Sequence, residues 1–509
     1  MISSLFEYVY FLKRFDCKVI KKVYSIKSAV QFILSTIFTV NIISFSSIGM
    51  KMKSLYMNIH FIAIGGSAMH NLAIALKING NNVSGSDDEI FEPSRSRLEQ
   101  YDLLPDSYGW YPEKISKDID AIILGMHAHP DNPELLHAQK LGLKIYSYPE
   151  FLYYHSKDKK RVVIGGSHGK TTITAIIMHV LKSLNYDFDY LVGSKIKDFD
   201  VMVRLSDDAP IMIFEGDEYL SSPIDRRPKF HWYSPDIALI SGIAWDHINV
   251  FPTFDNYVRQ FEKFISLINK GGAVIYNSDD VVLKELCSGI VGVSAIKYSA
   301  PNYEIRDGIN YIKYDNNEVQ LSIFGMHNMM NINGARLVCN QLGITNDDFY
   351  QNVSSFEGTA NRLELMSRNG ANRLYKDFAH APSKVKATVD AVREQFPNLN
   401  FVVCLELHTY SSLNRDFIDG YCSSLDKADA ACVYFNKHTL SMKRLPHLSS
   451  EDVQKAFNRS DLFVTTNSEE MVEWLVSTKK QGTVYLLMSS GNFSGINLSD
   501  LGNILTALN

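Results

Sequence analysis

The chain has 509 residues, which at roughly 150 residues per domain is room for about three domains and a sizeable core. Its composition, 46% hydrophobic and 21% charged, is that of a globular protein, and a formal net charge of −5 argues against nucleic-acid binding through a general basic surface. Small charged metabolites are the expected partners. The six cysteines (Cys17, Cys287, Cys339, Cys404, Cys422 and Cys432) form no C-x-x-C pair and no zinc-like cluster, which suits reduced residues of a cytoplasmic protein.

The amino-terminal 56 residues differ from the rest. Residues 28–50, SAVQFILSTIFTVNIISFSSIGM, carry no charge and follow Lys18, Lys21, Lys22 and Lys27, the pattern of a membrane anchor. A compact-domain pattern begins only at MNIHFIAIGG, so Met57 is expected as the working start and residues 1–56 as an over-extended reading frame. A membrane is an expected partner only if residues 28–50 are translated and retained.

From Met57 onward strands and helices alternate. NIHFIAI reads as a buried strand, SAMHNLAIALKIN as a helix with Ser67 available as its N-cap, NNVSGSD as a strand ending at Asp87, and AIILGMH as a third strand. This is a βαβ pattern with a parallel sheet, whose ligand belongs at the carboxyl ends of the strands. A dinucleotide fingerprint is weak here: in G-x-G-x-x-G register the run Ala63-Ile64-Gly65-Gly66-Ser67-Ala68 keeps only the middle glycine, although Asp87 lies near the spacing of a ribose-binding acid. A Gly-rich turn opening a helix still binds phosphate through its amides.

HSKDKKR, residues 155–161, reads as a charged linker, and the strand RVVI leads into GGSHGKTT. Strand, Gly-rich loop and helix stand in phosphate-loop order, with a shorter loop than a strict Walker A because Ile164 occupies the place of its first glycine. Gly166, Ser167, His168, Gly169 and Thr172 would cradle phosphate, Lys170 would neutralise it, and the Thr171 hydroxyl would ligate Mg²⁺. An apolar strand in APIMIFEGDEYL ends at Glu215 and is followed by Asp217 and Glu218, carboxylates suited to a hard cation. PDIALISGIAWDHINVF reads as a further buried strand ending at Asp246 and His247; a histidine at a strand end is more often structural than a ligand. After about Thr359 the third block alternates again through FVVCLEL, AACVYF and TVYLLMS.

The series GGSHGKTT, FEGDEY, WDHINVF, FGMHNMMNINGA, FEGTANRLEL and DFAHAPSKV resembles, in order, the motifs of the Mur ligase family, the ATP-dependent amide-forming enzymes of peptidoglycan synthesis. The resemblance runs from Met57 to the carboxyl terminus. It implies an α/β fold of three domains: a Rossmann-like UDP-sugar domain at 57–156, a P-loop ATPase-like domain at 157–360, and a Rossmann-like amine or peptide domain at 361–509. Within the family the look is to the branch that acts on UDP-N-acetylmuramate. FEGDEYLSSPIDRRPKF and LLMSSGNFSGI look more like the ligase that recycles the murein tripeptide L-alanyl-γ-D-glutamyl-meso-diaminopimelate than like the L-alanine ligase of de novo synthesis.

The resemblance also implies roles. Lys170 would contact the ATP β- and γ-phosphates, Thr171 and Glu215 would hold one Mg²⁺ and His247 a second, and Asn328 would contact adenine. Arg362 and Asp377 would reach phosphates and ribose, and His380 would line the reaction centre, with His380 and Asp377 as candidates for assisting loss of the amine proton. Gly65, Gly66, Ser67, Asp87 and His127 would surround the UDP portion. The sequence departs from the family at three points. Ala63 and Ala68 stand where glycine is usual, Phe261 stands where relatives that add later amino acids carry a carbamylated lysine, and LELHTY stands where the tripeptide-recycling ligase would show an Arg-containing Glu-Pro-Arg-Ser segment.

Overall fold

The computed structural model describes residues 56–245, 250–306, 308–443 and 445–507. The stretch 28–50, and with it the anchor or shifted-start reading and Cys17, lies outside the described residues, as do Asp246 and His247. Among the described residues no helix is long and apolar enough to cross a membrane.

The first unit is a parallel sheet of β1 (Asn58–Ile62), β2 (Asn82–Ser86), β3 (Ala121–Leu124) and β4 (Ile145–Ser147) in the order β2-β1-β3-β4. The apolar runs of β1 and β3 are buried on both faces, as parallel strands require. Between β1 and helix α1 (Ser67–Ile78) the chain turns at Ala63, which holds φ 67, a left-handed conformation that costs an L-residue about 1–2 kcal/mol. The glycine expected at that position is therefore missing in identity but not in backbone shape. Ser67 does not cap α1: it is the helix's first residue, Gly66 occupies the cap position, and no side chain among the described residues satisfies the first-turn amides. They are left to a ligand or to water.

The expected linker at 155–161 is mostly structured. Helix α2 (Tyr148–Ser156) runs into it from one side and β5 (Lys160–Gly165) from the other. Lys157, Asp158 and Lys160 stay exposed, but two of its charges are taken up locally. Lys159 Nζ donates to Asp189 Oδ2 at 2.6 Å, and Arg161, 6% exposed, lays its guanidinium over the Tyr153 ring.

The second unit is built on β5, β6 (Asp189–Leu191), β7 (Val203–Arg204), β8 (Ile211–Glu215), β9 (Ile237–Ile240), β10 (Ala273–Asn277) and β11 (Ser294–Tyr298). Their order is β11-β10-β9-β5-β8-β6-β7, parallel except for β7, so β5 and the loop it feeds lie near the centre. Helix α3 (Lys170–Ser183) follows that loop. Strand β9 stops at Ile240, so the strand expected to reach Asp246 and His247 is shorter than its apolar sequence suggested. Helix α4 (Phe254–Ser266) buries Tyr257, Phe261 and Phe264; Phe261 packs edge-on against Phe230 and Tyr257, so the place of the relatives' modified lysine is aromatic core. A small antiparallel sheet, β12 (Tyr303–Arg306), β13 (Ile309–Tyr314) and β14 (Asn317–Leu321), precedes helix α5 (Met326–Gln341).

The third unit opens with an antiparallel hairpin, β15 (Glu364–Asn369) and β16 (Asn372–Asp377), followed by helix α6 (Pro382–Gln395). Parallel strands β17 (Asn400–Leu407), β18 (Ala430–Phe435), β19 (Phe463–Thr465) and β20 (Thr483–Met488) complete the order β15-β16-β20-β17-β18-β19. Of the cysteines, Cys287, Cys339, Cys404 and Cys432 are buried and Cys422 is exposed; all five are free thiols.

Candidate active site

At the carboxyl end of β5 the backbone must fold back over the first turn of α3. Gly166 does this at φ +114, with the Ser241 amide only 2.7 Å from where a Cβ would stand. Gly169, at φ +75 in the cap position of α3, leaves no room for a side chain beside Asn331. The loop is tied to the segment after β9. Ser167 N donates to Gly242 O at 2.9 Å, the Ser241 hydroxyl donates to His168 O, and Ala244 N donates to Ser167 Oγ at 2.9 Å. Among the described residues no side chain caps α3, so its leading amides and helix dipole present a ready anion site.

Lys170 Nζ donates to Gly166 O at 2.7 Å and pairs with Glu218 Oε2 at 2.8 Å. Burial works against the ammonium charge, but Glu218, with Asp217 and Glu215 behind it, outweighs that and holds the lysine above its ordinary pKa. Thr171 Oγ1 donates to Glu215 Oε1 at 2.7 Å, and Gly193 N donates to the other Glu215 oxygen at 2.8 Å. Asp217 and Glu218, expected as further cation ligands, are instead engaged by ammonium groups: Asp217 Oδ2 by Lys229 at 2.7 Å, Glu218 by Lys170.

Two cavities meet at this point. One of about 180 Å³ is lined by residues 167–172, Glu215, His327, Asn328, Asn331, Arg362, Asp377 and Lys384. It brings Asn328, Arg362 and Asp377 to the phosphate loop, across the boundary between the second and third units. His168 Nε2 and Ser383 Oγ, 2.8 Å apart, join the loop to the start of α6. Asp377 accepts from Leu363 N and Ala379 N, each at 2.7 Å, which fixes its carboxylate at the end of β16. Burial pushes the pKa of His327 down, so this ring faces the cavity neutral.

A second cavity of about 320 Å³ lies between the first and second units, lined by Gly66, Ser67, Asn71, His127, Tyr148, Tyr233, Ser221, Asp217 and Lys229, and again by Lys170 and Glu215. Gly65 and Asp87 stand behind this wall, with Gly65 N donating to Asp87 Oδ2 at 2.7 Å. Burial raises the Asp87 carboxyl to about 6, opposed by that amide bond and assisted by neighbouring Asp88. Lys170 and Glu215 are thus shared by a cavity suited to a nucleotide and one suited to a second, larger substrate.

His380 lines neither cavity. Its Nδ1 lies 2.8 Å from Phe378 O and its carbonyl accepts from the Tyr421 hydroxyl, so the ring is held against its own turn. His247 lies outside the described residues. The LELHTY segment ends β17 with Glu406 buried and accepting from Phe493 N at 2.9 Å and from the Ser489 hydroxyl, a closed strand end. Sequence reasoning passed over His327, Asn331 and Lys384, although all three sit inside the motifs quoted for the resemblance, and it missed the Glu218–Lys170 pair and Tyr257.

For a divalent cation the residues present fit in kind. The Thr171 hydroxyl and the Glu215 carboxylate are adjacent hard oxygen donors beside the phosphate loop. Among the described residues no group of three or more His, Cys, Asp or Glu is arranged to hold a metal unaided, so a cation held by Thr171 and Glu215 would take its remaining oxygens from phosphate and water.

Fold and site together define a phosphate-loop enzyme with a second substrate cavity opening on the same lysine. Models of the Mur ligase family match in three segments: its catalytic domain over residues 58–160, its middle domain over 164–339 and its glutamate ligase domain over 361–491. The chain belongs to the Mur ligase family and is an ATP-dependent amide-bond ligase. It is 29% identical over 452 residues to a UDP-N-acetylmuramate–L-alanine ligase of Caldicellulosiruptor bescii, covering 85% of this chain and 96% of that protein. It is 26% identical over 454 residues to a UDP-N-acetylmuramate–L-alanyl-gamma-D-glutamyl-meso-2,6-diaminoheptandioate ligase of Haemophilus influenzae, covering 86% and 97%. In fold it is similar to the solved UDP-N-acetylmuramate-alanine ligase of Thermotoga maritima, with a TM-score of 0.63 at 21% identity over 86% of this chain and 97% of that one.

Proposed function

We propose that the chain joins the carboxylate of UDP-N-acetylmuramate to the α-amine of the murein tripeptide L-alanyl-γ-D-glutamyl-meso-diaminopimelate, in the cytoplasm, at the expense of ATP. The observation that carries the acid-activating half of this reading is the position of Lys170 and Glu215 on both cavities. A carboxylate acid in the 320 Å³ cavity would meet the nucleotide's terminal phosphate there, and among the described residues the two cavities share no other side chain. In this reading residues 57–156 hold the UDP sugar, 157–360 the ATP and 361–509 the amine.

Transfer of the γ-phosphoryl group to the muramate carboxylate gives an acyl phosphate, which the amine attacks with release of phosphate and formation of the amide. Negative charge grows on oxygen in both steps. Lys170, Arg362 and Lys384 are the cations lining the nucleotide cavity, and the loop amides that follow Ser167, whose own N–H is spent on Gly242 O, would hold the phosphates without reorganisation. Thr171 and Glu215 would hold Mg²⁺, which when bound neutralises phosphate oxygens. His380, turned back on Phe378, would need to rotate to serve as proton acceptor; Asp377 already faces the nucleotide cavity.

Support for a peptide rather than a single amino acid comes from a third cavity. At about 330 Å³ it opens beside the loop between His168 and Trp245 on one side and Pro382, Lys386 and Phe417 on the other, more space than free alanine needs. The alternative, L-alanine as the amine, is favoured by the Caldicellulosiruptor relative. The full chain with UDP-N-acetylmuramate and Mg-ATP, assayed for phosphate release with either amine, separates them. Release with tripeptide alone supports the reading, release with L-alanine alone replaces it with the alternative, and silence with both refutes the acid substrate.

A further inference from the structure

The phosphate-binding lysine does not stand alone in its cavity. Glu218 is 1% exposed and Tyr257, on α4, is fully buried; the Tyr257 hydroxyl donates to Glu218 Oε1 at 3.1 Å, while Oε2 takes the Lys170 ammonium. The Tyr257 oxygen also lies 3.0 Å from Ser167 Oγ. Because Ala244 N donates to Ser167 Oγ, the Ser167 proton is free to point at Tyr257, and the Tyr257 proton points at Glu218. Donation therefore runs from the segment after β9 through Ser167 and Tyr257 into Glu218, where it meets the Lys170 ammonium, the cation that among the described residues lines both cavities.

We propose that Glu218, anchored by Tyr257, is a positioning residue that sets where the Lys170 ammonium stands between the nucleotide and acid cavities. Two loose features of lysine chemistry make such a device necessary. The ammonium is a compact point charge on a stem with four rotatable carbons, and its geometry is not imposed by a planar fork as in arginine. Lys170 also has rival anions within reach, since Glu215 and Asp217 line the same space. Anchoring by Glu218 leaves the remaining N–H bonds, one of them now on Gly166 O, to be handed to phosphate oxygens. The cost is that a buried carboxylate beside the lysine weakens its pull on an anionic nucleotide. The arrangement trades ground-state affinity for placement, which is useful where only transition-state contacts raise kcat.

That trade gives a signature that a merely structural role lacks. In Glu218→Gln the nucleotide site loses a negative charge, so a non-hydrolysable ATP analogue binds as tightly as before or up to about tenfold tighter, while kcat falls about 10- to 100-fold, the range for a lost hydrogen bond to a charged group. Tyr257→Phe keeps the carboxylate and the ring and lowers kcat about three- to tenfold with analogue affinity unchanged; it carries the comparison if Glu218→Gln does not fold. The double variant is no slower than Glu218→Gln alone, because Tyr257 acts through Glu218. Loss of affinity together with kcat, a kcat within threefold of wild type, or additive losses in the double variant would each overturn the proposal. The binding arm needs neither acid nor amine. A wild type that binds the analogue but is silent with UDP-N-acetylmuramate refutes the substrate assignment alone, and the proposal then stands or falls on whether Glu218→Gln binds the analogue at least as tightly as wild type.

Discussion

Replacing Gly166 by alanine tests the phosphate loop as a piece of backbone rather than as a set of side chains. The residue holds φ +114, and an added methyl would meet the Ser241 amide at 2.7 Å and the Gly242 amide at 3.1 Å. The Ser241 hydroxyl, also in the way, can rotate; the amides cannot, because they carry the turn out of β9. The left-handed backbone costs about 1–2 kcal/mol. Forcing a methyl into packed backbone costs about 1–3 kcal/mol more. Gly271 in the same unit supplies the reference: it has φ +81 and nothing within 4 Å of its would-be Cβ, so Gly271→Ala bears only the first cost. Gly166→Ala should therefore melt lower than Gly271→Ala by about 2–12 °C, taking 2–4 °C per kcal/mol for a unit of this size. It should also lose turnover, since the Gly166 carbonyl that receives the Lys170 ammonium moves with it. The measurements are scanning calorimetry and phosphate release on both variants. Equal melting of the two, with Gly166→Ala still active, would refute the claim that the loop is strained and tightly backed.

Lys170→Ala should leave a folded protein, checked by circular dichroism, with kcat lowered by about 10³ or more, the scale for removing a charge aimed at a transition state. Glu215→Gln should raise the Mg²⁺ concentration for half-maximal turnover at least tenfold, since one carboxylate charge beside Thr171 is lost; an unchanged Mg²⁺ titration counts against the metal assignment. The Asp87 carboxyl, raised to about 6, should show in substrate binding. As pH falls through 6 the carboxylate that accepts from Gly65 N becomes protonated and a weaker acceptor, so KM for the UDP substrate rises, and Asp87→Asn flattens that profile between pH 5 and 8. Buried His70 and half-buried His155, His231 and His327 are all held below the ordinary histidine pKa by desolvation. The unfolded chain therefore takes up these protons first on acidification, and stability present above pH 6.5 is lost as pH falls below it; melting points at pH 7.5 and 5.5 measure the loss.

Much of the site was legible because its parts are local. A phosphate loop needs a strand, glycines and a lysine in unbroken succession, so GGSHGKTT announced itself, and Glu215 was readable as the polar end of an apolar strand. Asn328, Arg362 and Asp377 carry no local signal of that kind and came from the resemblance of whole motifs. The errors share one cause. Charged or polar residues were read by their sequence neighbours: the 155–161 run as a charged linker, Ser67 as a cap, Asp217 and Glu218 as cation ligands. In the fold Lys159 answers Asp189, Lys229 answers Asp217 and Lys170 answers Glu218, pairings between residues 30, 12 and 48 positions apart that the folding of the chain brings together.

The sequence by itself determined the alternation of strands and helices, the order of the three units and the chemistry of the phosphate loop, because hydrophobic period and turn residues act within a few positions. Only the tertiary structure decided that Ala63 keeps a glycine's backbone, that Phe261 is core, and that one lysine serves two cavities. Those outcomes depend on packing between segments far apart in the chain: Glu218 reaches Lys170 across 48 positions and Tyr257 across 39, and a charge buried at that contact has to be matched by whatever the fold brings to it.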